Sequence, residues 1–232
     1  MAATTEIAER LAAVRAAIGR AAADAGRTPG SVALLAISKG QPASAIRAAH
    51  AAGQRAFGEN YPQELVAKAR ELADLDLEWH FVGRLQANKT RAVAELCRWV
   101  HGLDRSRTAA RLGAQRPAAL PPLQVCLQID VDGEPQKGGV APADALDLAR
   151  AVAGTPRLAL RGLMCLPAAA RDDRRAPFRA LRRLAVELGA ALADHGVVLD
   201  ALSMGMSDDF SEAIAEGATW VRIGTALFGE RR

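Results

Sequence analysis

Short apolar runs alternate along this chain with longer stretches in which apolar residues return every third or fourth position. The runs are "SVALLAIS" (31–38), "RAFGE" (55–59), "EWHFVG" (78–83), "RWVHGL" (98–103), "LQVCLQIDV" (123–131), "LALRGLMCL" (158–166), "VVLDALSM" (197–204) and "TWVRIG" (219–224). Their length and β-branched and aromatic content predict eight strands. The stretches between them predict amphipathic helices. In "RDDRRAPFRALRRLAVELGAAL" (171–192), Phe178, Leu181, Leu184, Leu188 and Leu192 share one face and the arginines largely take the other. Pro42 and Pro62 suit first-turn positions, and Gly53, Gly154 and Gly217 suit helix ends. The N-terminal "MAATTEIAERLAAVRAAIGRAAADAG" places Ile7, Leu11, Val14 and Ile18 at helical spacing ahead of the first strand.

Strict strand–helix alternation calls for parallel strands joined by crossover helices, and eight repeats predict a closed (β/α)8 barrel. Residues 104–122, a short helix followed by a proline-rich link, are the weakest repeat and leave an open parallel sheet as the alternative. A chain of 232 residues suits one such domain, 1–232, and placing eight units leaves no second domain. The N-terminal helix is then an extra element, packed outside the barrel or across one end.

Composition narrows the class. Half the residues are hydrophobic, enough for a large core, but charged residues interrupt every apolar stretch before it reaches membrane-spanning length. Glu6, Glu9, Arg10 and Arg15 break up the N-terminal helix, so it is no signal core and a cytoplasmic protein is expected. Cys97, Cys126 and Cys165 are far apart and odd in number, which argues for buried free thiols and against a disulfide framework or zinc site. His50, His80, His101 and His195 show no metal-ligand spacing. The net charge of +4 is mild; with 4% aromatics and no binding motif, no nucleic-acid partner is expected.

In a (β/α)8 barrel the chemistry sits where strands end, and there the first strand delivers Lys39. A strand-end lysine often only marks the return to water, so its neighbours decide its meaning. The seventh loop, "SMGMSDDF", carries Gly205 for close backbone approach and Ser207 as a cap for the next helix. After the eighth strand, Gly224 and Thr225 open a short helix beside Arg222. Loops seven and eight are the usual phosphate site of this architecture. A lysine beside a phosphate site points to a phosphorylated carbonyl compound held as a Schiff base. An aldolase holding a sugar phosphate and a protein holding pyridoxal phosphate both fit.

Five segments, "LLAISKGQP", "FGENYPQE", "WHFVGRLQANK", "LRGLMCLP" and "LSMGMSDDFSEAIAEGATWVRIGTALFGER", together resemble the pyridoxal phosphate homeostasis proteins, also called proline synthase co-transcribed homologues. The resemblance covers nearly the whole chain. It implies a barrel similar to the N-terminal domain of alanine racemase, holding pyridoxal 5′-phosphate (PLP) without established turnover. It further implies that Lys39 carries the aldimine and that Ser203, Gly224 and Thr225 hold the phosphate. Asn60 and Met204 would line the ring, and Arg222 would meet either the phosphate or the ring nitrogen. Lys137 would be a second lysine in a mobile loop. Two departures touch that loop: Asp130 stands where asparagine is usual, and no serine precedes Lys137.

Alanine racemases add a second base, a tyrosine from another domain and subunit. Here the only tyrosine, Tyr61, sits beside "FGEN", and the resemblance implies that Arg222, if it meets the pyridine nitrogen, would weaken the electron sink. The expectation is a monomeric, non-catalytic carrier that passes PLP to apoenzymes. A weak racemase or transaminase-like enzyme and a Schiff-base aldolase are the alternatives.

Overall fold

The computed structural model describes residues 2–168 and 172–229. Eight parallel strands close into a barrel in chain order: β1 (Ala33–Ile37), β2 (Ala56–Glu59), β3 (Glu78–Phe81), β4 (Trp99–Leu103), β5 (Leu123–Ile129), β6 (Leu158–Cys165), β7 (Ala201–Ser203) and β8 (Trp220–Ile223). The pairing of β8 with β1, from Ala33 opposite Trp220 to Ala36 opposite Ile223, rules out the open sheet. Parallel strands lie between core and helices and are buried on both faces, which is why they read as continuous apolar runs. β7 is much shorter than its apolar run because Val197–Leu199 precede the point where pairing with β6 begins, and Val198 is exposed.

The outer ring is α2 (Ala43–Ala51), α3 (Pro62–Glu71), α4 (Thr90–Leu96), α5 (Ser106–Gln115), α6 (Ala145–Ala153), α7 (Ala176–Ala191), α8 (Phe210–Ala215) and the short α9 (Thr225–Phe228). Pro62 opens α3 as expected, whereas Pro42 stands one residue before α2. In α7, Phe178, Leu181 and Leu188 are buried; Arg171, assigned to the same stretch, lies outside the described residues. The N-terminal helix α1 (Ala2–Asp24) packs outside the barrel, against α2, α8 and α9. Leu11, Val14 and Ile18 are its buried face. Its partner segments are tied to it by Arg15, which donates to Gly53 O at 2.9 Å, and by Arg27, which donates to Ala218 O at 2.7 Å. No helix among the described residues is long and apolar enough to cross a membrane.

The proline-rich link 116–122 is held by two arginines: Arg157 Nη2 donates to Pro117 O at 2.8 Å and to Ala118 O and Leu120 O, and Arg116 ties the link to α4. Arg116, 6% exposed, donates Nε–H to Pro121 O at 2.9 Å and Nη1–H to Ala94 O and Cys97 O, both at 2.7 Å. It therefore satisfies carbonyls at the C-terminal end of α4 that the helix leaves without partners. Two hydrophobic regions result: a large one between strands and helices, and a small one inside the barrel built on Trp99, Cys126, Met164 and Ala201. The interior also holds polar side chains, with His80, His101, Gln128, Ser203 and Arg222 all buried. All three cysteines are free and buried; burial pushes the Cys126 thiol up to about 12.

Replacing Arg116 by methionine should keep the volume but strand those carbonyls. Unpaired buried polar groups cost about 1–3 kcal/mol each, so the urea midpoint should fall clearly at unchanged m-value; an unchanged midpoint would remove Arg116 as a brace of the link.

Candidate functional site

Lys39 lies two residues beyond β1, at the C-terminal mouth, half-buried. The turn that carries it is held on both sides. Upstream, Ser38 donates its hydroxyl to Glu59 Oε1 at 2.6 Å, and Lys68 Nζ donates to Ser38 O at 2.7 Å. Downstream, Gly40 adopts φ +70° and donates its N–H to Glu64 Oε2 at 2.8 Å. Lys68 joins the two halves, 2.7 Å from Glu59 Oε1 and 2.9 Å from Glu64 Oε2. Burial raises the Glu59 pKa against the opposing hydrogen bonds from Lys68 and Ser38. At Glu64 burial also works upward, but the Gly40 N–H and Lys68 outweigh it and the pKa is lowered.

Beside Lys39 is a cavity of about 330 Å³ whose walls include Asn60, Arg222, Gly224 and Thr225. That volume is at the lower end of small-molecule sites. Asn60 is drawn in by close backbone packing: a Cβ on Gly83 would fall 2.2 Å from Asn60 O, so only glycine fits there. Its Oδ1 is buried without a hydrogen-bond partner among the described residues. Gly224 is less tightly constrained: a Cβ there would lie 3.1 Å from Ile37 O, a close contact. Thr225, exposed, begins α9.

Arg222 is 4% exposed and makes its contacts from the floor of that cavity. Its Nη2 donates to Cys165 O at 2.8 Å and its Nη1 to Ser203 Oγ at 2.9 Å. Ser203 Oγ lies 2.8 Å from His101 Nδ1, His101 Nε2 is 2.9 Å from His80 Nδ1, and His80 Nε2 is 2.9 Å from Glu78 Oε1. Burial lowers the pKa of both histidines, most strongly at His101, where the charges of His80 and Arg222 add to it.

The structure thus brings Lys39, Asn60, Arg222, Gly224 and Thr225 to one cavity. It places Ser203 and Met204, both fully buried, beneath the mouth and off the cavity wall. Lys137 is on a separate loop after β5, 2.5 Å from Glu134 Oε2, and that loop is fastened by Gln128 Nε2 donating to Lys137 O at 2.9 Å. Asp130, the unusual residue there, accepts the Glu134 N–H at 2.9 Å. The expected capping role of Ser207 is corrected: α8 begins at Phe210, and Asp209 Oδ1 reaches back to accept the Met206 N–H at 2.6 Å. Tyr61, 57% exposed at the head of α3, lines a neighbouring cavity.

Residues 10–232 match the family described as the alanine racemase N-terminal domain. The pyridoxal phosphate homeostasis protein of Pseudomonas aeruginosa is 57% identical over 227 residues, 97% of this chain and 96% of that one. The chain belongs to the pyridoxal phosphate homeostasis protein family. The Escherichia coli K12 homeostasis protein is 52% identical over 229 residues, with 97% of each chain covered. Among solved structures, PipY of Synechococcus elongatus PCC7942 with PLP bound aligns with a TM-score of 0.85 at 41% identity, covering 96% of this chain and 100% of PipY. Alanine racemase from Corynebacterium glutamicum aligns with a TM-score of 0.71 at 18% identity, covering 96% of this chain and 61% of the racemase, which shows the shared fold. This homeostasis-family barrel therefore spans its homeostasis relatives and only part of the racemase.

Sequence reasoning did not find Glu59, Glu64, Lys68, His80 or His101 as parts of this centre. Glu64 and Lys68 carried a visible i,i+4 signature, and the two histidines fall on inward-pointing positions of their strands.

Because burial lowers both histidine pKa values, the unfolded chain takes up protons near pH 6.5 before the folded one does, and stability should fall as pH drops below that point. Glu59, with its raised pKa, acts in the opposite sense. The difference in unfolding free energy between the native chain and His101→Phe should therefore shrink from pH 7.5 to pH 5; a difference independent of pH would mean that His101 is already charged or not desolvated.

Proposed function

We propose that this chain binds pyridoxal 5′-phosphate on Lys39 and stores it or passes it to PLP-dependent apoenzymes, without significant turnover of its own. The observation that carries this reading is the single cavity joining the Lys39 amine, the unpartnered Asn60 Oδ1, the Arg222 guanidinium and the Gly224–Thr225 turn. The family membership and the PLP held by PipY support it.

In this reading Lys39 would hold the cofactor through its amine, and the bound group would supply the aldehyde chemistry of an amine-linked carrier. The ion cluster of Lys68, Glu59 and Glu64 fixes the backbone on either side, so the amine arrives with little freedom left to lose. Gly224 and Thr225 present a backbone N–H and a hydroxyl to the phosphate. α9 is only four residues long, so direct hydrogen bonds carry that anchoring and its dipole adds little. Arg222 faces the bound group from the floor, with Ser203 and Met204 supporting it from beneath. Were Arg222 to meet the ring nitrogen, its fixed positive charge would keep that nitrogen unprotonated and disfavour carbanion chemistry. Tyr61 is turned to a different cavity, which leaves it poorly placed as a second base. Lys137 is a second amine, held at rest by Glu134. The reading is completed by a monomeric, cytoplasmic carrier, with three buried reduced thiols as expected of that compartment.

Borohydride reduction of the PLP-loaded protein should fix the cofactor on Lys39, and Lys39→Ala should lose the covalent absorption band. The loaded protein should reactivate a PLP-dependent apoenzyme at a rate different from free PLP and leave L-alanine optically unchanged. Racemisation on the order of one per second or faster, abolished by Lys39→Ala, would replace the carrier by an enzyme.

Thr225→Val should weaken PLP retention about tenfold, the value of one hydrogen bond to a charged group, and pyridoxal should bind far more weakly than PLP. Equal affinities in an absorbance titration would place the phosphate elsewhere.

A further inference from the structure

A file of hydrogen-bonded side chains runs through the barrel from Arg222 at the mouth to Glu78, the first residue of β3, at the opposite end. Its two ends are chemically fixed, because a guanidinium only donates hydrogen bonds and a carboxylate only accepts them. Starting from Glu78, His80 must donate its Nε2–H and, being neutral, offers a bare Nδ1. His101 must then donate Nε2–H to that atom, leaving its own Nδ1 bare. Ser203 must give its hydroxyl hydrogen to His101, so the lone pairs of Oγ face Arg222 Nη1. One assignment satisfies all four bonds, and turning either ring sets two donors or two lone pairs against each other.

The surroundings reinforce this assignment. Arg98 Nε lies 3.1 Å from Glu78 Oε2 and keeps the carboxylate charged. Trp99 stacks on His80 with an interplanar angle of 10°, Trp220 meets His101 edge-on, and Arg161 above Trp99 is engaged by Asp200. Every member of the file except Glu78 is buried, so water is a poor substitute for a lost partner.

We infer that His80 and His101 are positioning residues for Arg222: through Ser203 they hold its guanidinium in one orientation at the floor of the Lys39 cavity, and Glu78 at the far end sets the direction of the whole file. What that orientation serves rests on the cofactor reading above; the orientation itself does not.

The test uses Glu78→Leu, which removes the terminal acceptor at a side chain one-third exposed, far from the cavity, and Glu78→Gln, which keeps an acceptor. In the cofactor-free protein, nitrogen-15 NMR should find His80 and His101 neutral with hydrogen on Nε2, and separate Nη–H signals for a rotationally fixed Arg222. Because the Ser203 and Cys165 carbonyls also hold Arg222, Glu78→Leu should move the histidine hydrogens to Nδ1 and shift the Arg222 Nη–H signals, while Glu78→Gln should preserve both patterns. With PLP loaded, Glu78→Leu should shift the visible band and release the cofactor about tenfold faster, and Glu78→Gln should not. Imidazolium or Nδ1–H forms in the native chain, or Arg222 signals and PLP release untouched by Glu78→Leu, would overturn the inference. A protein that takes up no PLP in any variant would overturn the cofactor reading alone, because both NMR readouts still decide the file.

Discussion

Arg222 is a buried cation whose hydrogen-bond partners, the Ser203 and Cys165 carbonyls and the Ser203 hydroxyl, are all neutral. Burying an uncompensated charge is expensive, and burial does lower the Arg222 pKa. The barrel interior is organised around that expense. Most barrels of this type fill their centre with branched apolar side chains, but here two histidines, a serine and a glutamine share the interior with a small cluster of Trp99, Cys126, Met164 and Ala201. The polar side chains keep the guanidinium solvated by protein dipoles.

The second cation of the mouth is handled differently. Lys68, behind the Lys39 turn, is paired with two carboxylates, one wholly buried and one partly exposed. Breaking such a cluster by removing one partner is far more damaging than never having built it. Its retention next to a strand end is intelligible as a means of holding Ser38, Lys39 and Gly40 in place. The two centres share no direct bond, yet both constrain the same small cavity, one fixing its amine and the other its floor.

The fold was legible because parallel strands are buried on both faces and announce themselves as apolar runs; all eight were found, and even residues 104–122 folded as a helix and link. β7 was overestimated because apolarity at Val197–Leu199 reflects packing before the strand, which no local pattern separates from the strand itself. At the site, Lys39, Asn60, Arg222, Gly224 and Thr225 could be named from strand ends and family motifs. Ser207 failed as a cap because α8 begins only at Phe210, which puts Asp209 at the helix start and Ser207 in the turn before it. Glu59, Lys68 and the histidine pair escaped notice because each acts through a partner that is 9 to 102 residues distant, and sequence spacing does not record which buried polar groups meet.

The placement of α1 bears on how the molecule can be made. This helix lies across the junction where the first and last strands pair, touching α2 on one side and α8 and α9 on the other. A chain emerging from the ribosome would offer α1 only half of its seat until the final strand and helix are released. Contacts of such sequence separation are slow to form, and domains are synthesised at about 5–20 residues per second. The buried stripe of Leu11, Val14 and Ile18 thus emerges ahead of all eight strands and stays uncovered until β8 and α9 follow.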